Sequence, residues 1–190
     1  MKKIVIGTVA LLFLLVGCGQ KKESAEPSKD TTTEALQSTL PVLENANNNT
    51  VVTKTLVLPA DENGVQQTQT ITYKGKQFLT LTIQQKRQVS EDLKNFIAEH
   101  GLEEAKKALK EGEDKDESVQ EARKIPGFSL ETNLLSETEI ETKTSYDFQV
   151  LDVKKASESK YLKNVGLENL LKNEPEEYIE NRVASGATVQ

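Results

Sequence analysis

The sequence predicts an α+β fold: a single domain over residues 51–190, with an antiparallel sheet of about five strands and helices packed on one face. Apolar residues recur with period two in short segments on both sides of the chain's middle, and with helical spacing between and after them. Turn residues separate the first strands closely enough for hairpins, so the order is strand-strand-strand, helices, strand-strand, helices. The domain is long enough to bury a real core.

Residues 53–58 are β-branched and apolar, and residues 65–74 alternate through Ile71 and Tyr73. Asp61-Glu62-Asn63-Gly64 supplies the turn between them, because Asn and Gly tolerate positive φ. Lys74-Gly75-Lys76 predicts a second tight turn into residues 77–88. There Leu79, Leu81 and Ile83 are expected on one face, with Thr80 and Thr82 on the other. Ser90 predicts a helix N-cap ahead of Glu91 and Asp92, acids that suit the positive end of the helix dipole. Leu93, Phe96 and Ile97 form its apolar stripe, Gly101 breaks or bends it, and residues 102–110 continue through Ala105, Ala108 and Leu109.

Residues 111–124 are heavily charged and read as an exposed segment, with a second helix as one alternative. Pro126-Gly127 has the order of a type II turn. Extended segments follow at residues 129–136 and 139–153, the second alternating through Tyr146, Phe148 and Val150. Leu151 and Val153 break that parity, so a bulge or an exit from the sheet is expected near residue 150. The C-terminal part reads as helical, with Leu167, Leu170 and Leu171 in one piece. Pro175 then begins another that carries Tyr178, Ile179 and Val183. The last residues are expected to fray.

Residues 1–17 have a different character. Lys2 and Lys3 precede an uncharged run from Ile4 to Gly17, which is too short for a ~30 Å hydrocarbon core but suits a signal peptide. The run ends in Leu15-Val16-Gly17-Cys18, which resembles the lipobox of bacterial lipoproteins. That resemblance implies cleavage before Cys18, a diacylglyceryl (palmitate-type) thioether on its sulfur, and anchoring of the chain to a membrane. Two or more acyl chains hold stably, whereas one binds only marginally. Cys18 is the one cysteine, so an intrachain disulfide is excluded. Residues 18–50 read as a disordered tether, rich in Lys, Glu, Ser, Thr and Asn and without aromatics, spanning roughly 30 Å. The expected location is therefore the extracytoplasmic face of a bacterial membrane. The Lys- and Asn-rich tether points towards a Gram-positive cell surface.

The segment Thr72-Tyr73-Lys74-Gly75-Lys76 leading into an alternating strand, Ser90-Glu91-Asp92-Leu93 opening a helix, and Thr144-Ser145-Tyr146-Asp147-Phe148-Gln149-Val150 together resemble the YehR-like small lipoproteins. The resemblance covers roughly residues 51–183. It departs at the charged insertion of residues 111–124. It implies an α+β lipoprotein domain of unknown function and supplies no catalytic residues.

Constellations for chemistry are few. A Ser-His-Asp site would need His100, the one histidine, which stands before Gly101 at an expected helix end and reads as a surface residue. One cysteine and one histidine leave no Cys/His zinc site within the chain. Asp114, Asp116 and Ser118 alternate as oxygen donors, but an EF-hand loop would then want Gly and Glu where Val119 and Ile125 stand, so a solvated charged face is expected instead. Asp61-Glu62-Asn63-Gly64 reads as a turn before it reads as a ligand set. Lys74, Lys76, Lys86 and Arg87 are a small basic group that could meet an anionic polymer, though scattered surface lysines explain it as well. The formal net charge of −6, more negative once Lys2 and Lys3 are removed, argues against nucleic acid as a partner. No cofactor or metal is expected. The functional expectation is a non-enzymatic binding or interaction module, meeting the membrane through Cys18 and an envelope protein or small ligand through its domain. The alternative is a cell-envelope hydrolase with an unrecognised carboxylate site.

Overall fold

The computed structural model describes residues 50–190. Leu15, Val16, Gly17, Cys18 and nearly all of the expected tether lie outside the described residues.

Alternating β-branched and apolar residues form β1 (Val51–Val57), β2 (Gln66–Lys74) and β3 (Gln77–Gln88). The helices α1 (Glu91–His100), α2 (Leu102–Lys115) and α3 (Glu117–Arg123) follow. Then come β4 (Phe128–Leu134) and β5 (Glu139–Asp147), the helices α4 (Val153–Glu158), α5 (Leu167–Leu170) and α6 (Pro175–Ala184), and β6 (Thr188–Val189). The sheet has the order β4-β5-β3-β2-β1-β6. Every pairing is antiparallel. The α+β class and the single domain are as expected; the sheet has six strands rather than about five, because the C-terminus pairs instead of fraying. Gln190 donates its backbone N–H to Thr55 O at 2.9 Å, and Ala187 just before the strand is buried.

Burial alternates along the strands. In β5, Ile140, Thr142, Thr144 and Tyr146 are buried, while the odd-numbered residues face the other way. The main core lies on the face that carries these even-numbered residues of β5, where Leu56, Ile71, Tyr73, Leu81 and Ile83 of the neighbouring strands meet Leu162, Val165, Leu167, Tyr178 and Ile179. A smaller cluster of Val89, Ile97, Ala105, Leu134 and Ile140 anchors α1 and α2 on the same face. Gln69 is fully buried there, and its side-chain oxygen accepts a hydrogen bond from the Tyr178 hydroxyl at 2.8 Å. A buried amide left without that donor would cost about 1–3 kcal/mol.

Among the described residues, the opposite face carries no helix. The strand registers align Ser129, Ser145, Thr82, Thr70 and Thr55 in one row of hydroxyls across five strands. Neighbours in these rows satisfy one another, as Thr53 with Thr72 at 3.0 Å and Thr82 with Ser145 at 3.0 Å. Hence the period-two pattern: one side of the sheet faces helices and the other faces solvent.

Several local expectations are corrected. The β2–β3 register shifts by one residue at Thr72/Tyr73, pairing Tyr73 with Phe78 and Thr72 with Thr80. Leu79 is thereby the extra residue of a bulge, and Phe78 rather than Leu79 joins Leu81 and Ile83 in the core. The second late strand ends at Asp147, not near residue 153. Asp147 then accepts from Val150 and Leu151 N–H in a turn, leaving Val150 exposed and Leu151 buried. Asp152 next caps α4 by accepting from Lys155 N at 3.0 Å, a helix that the apolar spacing did not reveal. Val183 is exposed although it continues the stripe of α6, while Pro175, Tyr178 and Ile179 are buried.

Candidate functional site

A groove of 690 Å³ runs beside the free edge of β4, between that strand and α2. Local sequence builds both of its walls. Gly101, at φ 83°, ends α1 and lets α2 begin at once in a new direction. α2 then runs through the charged segment as far as Lys115. Asp116 starts α3, its carboxylate accepting from Ser118 N at 2.9 Å, Ser118 Oγ at 2.7 Å and Val119 N at 3.3 Å. Residues 111–124 are therefore helical and partly buried through Val119 and Ala122, not a merely solvated face. The Ser118 hydroxyl, helped by the two backbone N–H groups and against the pull of burial, holds the Asp116 carboxyl below the usual carboxylate range.

The α3 cap brings the end of that helix against the end of α2. Arg123 donates to Glu113 at 2.6 Å, reaches Asp114 at 3.5 Å, and points a further N–H at Leu130 O, 3.5 Å away. Gln120 donates to Glu113 O at 3.2 Å. Two carboxylates and one guanidinium thus close one end of the groove as a paired set with one negative charge in excess. Lys106, Lys110 and Leu109 of α2 form its helical wall, and Leu130 to Leu135 form the other. Lys106 sits 2.7 Å from Glu103 on the solvent side, while Lys110 makes no ion pair among the described residues. Beneath this end, burial and then the Glu113 carboxylate push the Tyr161 phenol up to about 12, with Arg123 opposing. Burial likewise holds the Tyr146 phenol far above its ordinary range, with the Thr144 hydroxyl opposing. Both rings are neutral near pH 7 and can donate hydrogen bonds but not act as phenolate nucleophiles.

The edge itself is the second component. Gly127 O accepts from Asp147 N at 2.7 Å, and Leu135 N donates to Glu139 O at 2.9 Å, in the same register that pairs Phe128 with Tyr146 and Leu134 with Ile140. Backbone groups of the odd-numbered residues between them therefore face β5, and those of Leu130, Thr132 and Leu134 point out into the groove. Phe128 N is occupied by Ile125 O at 3.2 Å.

The residues singled out by sequence fare differently. His100 ends α1, stacks on Phe96 with ring centroids 4.5 Å apart, and lies half-exposed, far from any triad arrangement. The oxygen donors at 114, 116 and 118 do not converge: Asp116 and Ser118 serve the α3 cap, and Asp114 turns to Arg123. Among the described residues, no group of three or more His, Cys, Asp or Glu side chains is placed to hold a metal ion. Asp61 makes the turn read from sequence, its carboxylate accepting from Asn63 N and Val65 N at 2.8 Å each. The basic group is dispersed. Lys74 and Lys76 flank the β2–β3 turn, whereas Lys86 and Arg87 stand at the other end of β3, roughly 30 Å along an extended strand. Lys76 reaches Glu174 at 2.6 Å, and Arg87 is half-buried opposite Ile140. Arg123, Lys110 and the outward backbone of β4 were missed, because no local pattern marks a strand as the sheet's edge.

A family model described as a “-like” domain matches residues 51–182. A protein from Streptococcus pneumoniae TIGR4, with an NMR structure, is 65% identical with a TM-score of 0.70, covering 87% of this chain and 100% of that one. The YehR protein of E. coli is 20% identical with a TM-score of 0.47, covering 74% of this chain and 91% of that one. No curated protein matches. By the extent of these matches, the chain belongs to this “-like” family, a small domain of unknown function.

Proposed function

We propose that the chain is a lipid-anchored extracytoplasmic lipoprotein whose domain is a non-enzymatic binding module. The address rests on Lys2 and Lys3, the uncharged run to Gly17, and Leu15-Val16-Gly17-Cys18. Among the described residues no helix is long and apolar enough to cross a membrane, so the lipid on Cys18 carries the attachment in this reading. The binding role rests on one observation above all: the groove beside β4 combines apolar side chains with outward backbone groups, and two of its three acids, Glu113 and Asp114, are drawn to Arg123. An open edge beside an apolar groove suits recognition. A hydrolase would instead want a carboxylate free to shuttle protons at a substrate.

Crosslinking in cells, with mass spectrometry and a Cys18→Ala control, tests both halves. Anchored protein is expected to enrich one or two envelope partners that the control does not, and Cys18→Ala is expected to lose acyl labelling and accumulate precursor. Acyl-labelled, processed Cys18→Ala protein would sink the address. Turnover of wall or peptide substrates, abolished by a single acid variant such as Glu113→Gln, would sink the binding role in favour of the hydrolase.

A further inference from the structure

We infer that residues 36–40 of this same chain fold back onto the edge of β4 and add to the sheet as a further strand, so that a partner must displace them to reach the groove. This rests on the reading of the groove as the domain's binding surface and names the regulation of that surface. The outward N–H and C=O groups of Leu130, Thr132 and Leu134 recur every second residue, the repeat that a peptide backbone in extended conformation presents. Leu130 O meets the Arg123 guanidinium only at 3.5 Å, beyond good hydrogen-bonding distance. The groove sets Lys106, Lys110 and Arg123 against Glu113, Asp114 and Glu131, a balance that suits an uncharged occupant.

Residues 18–50 contain such an occupant. Every leucine and valine among them falls within residues 35–43, an uncharged run between Glu34 and Glu44. Laid antiparallel to β4, as every other pairing in the sheet is, this run sets Leu40 opposite Leu130, Ser38 opposite Thr132 and Leu36 opposite Leu134. Leucine then meets leucine on the groove side, and the two central hydroxyls pair as those of Thr82 and Ser145 do. Pro41 follows with its nitrogen turned away from β4, where the missing N–H costs no ladder bond. The pairing ends there, because Phe128 N is already occupied by Ile125 O.

The chain is long enough to close this contact. The strand registers set Leu130 level with Leu56, five residues along the sheet from Val51. An added strand lies five strand spacings from β1, so the path to Val51 is about 29 Å. The eleven residue steps from Leu40 to Val51 reach about 36 Å. Across so short a linker the segment meets the edge at an effective concentration on the order of millimolar, an advantage that a second copy of the chain lacks. Folding back leaves residues 18–35 as the free tether and shortens its span to roughly 23 Å.

The test is amide hydrogen exchange, read by NMR on the ¹⁵N-labelled full chain in detergent micelles. The outward amides of Leu130, Thr132 and Leu134, and those of Leu36, Ser38 and Leu40, are expected to exchange at least about tenfold more slowly than in the double variant Leu36→Asp/Leu40→Asp. Ser38→Pro removes an N–H aimed at Thr132 and should abolish the same protection. Both variants lie outside the domain, and the amides paired between β2 and β3 report that it stays folded. Outward β4 amides that exchange at the rate of exposed backbone in the parent chain, or protection that survives either variant, would overturn the proposal. Protection that grows with protein concentration would overturn it in favour of a second copy. Each of these leaves the binding module standing, since that reading fails only on turnover or on the crosslinking result.

Discussion

Gly127 and Gly101 have nearly the same positive φ, 81° and 83°, yet stand in different surroundings. A Cβ on Gly127 would lie 2.6 Å from Asp147 O and 2.9 Å from Leu151 N, whereas nothing lies within 4 Å of one on Gly101. Gly101→Ala should therefore cost only backbone strain, about 1 kcal/mol. Gly127→Ala adds a collision with backbone that cannot move without opening the β4–β5 ladder, and should cost at least about 2 kcal/mol. Chemical denaturation of both variants checks this, and equal losses would refute the steric account. Asp116 supplies a second test. Its folded pKa is depressed, so its stabilisation is fully present above the unfolded value near 4 and is lost as pH falls through the lower folded value. At pH 7 Asp116→Ala is expected to cost about 1 kcal/mol as a lost N-cap. That difference from the parent should vanish once the pH is low enough to protonate the cap, which stability curves at pH 7 and pH 2 would show.

Among the elements, β6 is the one that composition would not have promoted. It is two residues long and exposed, yet it closes the β1 edge through the Leu56–Val189 and Val57–Thr188 pairs. Ala187 ahead of it is 5% exposed and packs in the main core. Deleting residues 187–190 should lower stability by about 1–2 kcal/mol and raise aggregation, because the deletion opens the β1 edge. Unchanged thermal unfolding and solubility would show that β6 merely rests on the sheet. Among the described residues the opposite edge, β4, is paired with no further strand.

At the scale of the whole domain, one face of the sheet bears every described helix, but in two unequal groups. The main cluster joins β1, β2, β3 and the C-terminal helices, while α1 and α2 rest on the small cluster around Ile97, Ala105 and Ile140. Fewer buried contacts imply easier local opening. Amide exchange in α1 should be at least about tenfold faster than in β2 and β3, by hydrogen–deuterium exchange; uniform protection would mean that the two clusters open as one. Since α2 is a wall of the groove, this difference would let that wall yield while the strands that present the edge stay fixed.

Alternation in β2, β3 and β5, the Ser90 cap, the Pro126-Gly127 turn and the helical spacing around Tyr178 and Ile179 were all legible in the sequence. Each depends on residues a few positions apart, whose backbone preferences act locally. The α+β class followed from their order. Position in the sheet was not legible, since pairing β3 with β5 and leaving β4 outermost is decided by contacts between residues some sixty positions apart. The same holds for the shift that put Phe78 in place of Leu79, which is set by the partner strand across the turn. Arg123 meets Glu113 and Asp114 only because the α3 cap folds one helix end onto another. By itself the sequence determined the elements and their order. The tertiary structure decided which strand kept a free edge and which charges gathered beside it, because hydrogen-bond pairing and ion-pair geometry depend on distances in space that residue spacing does not encode.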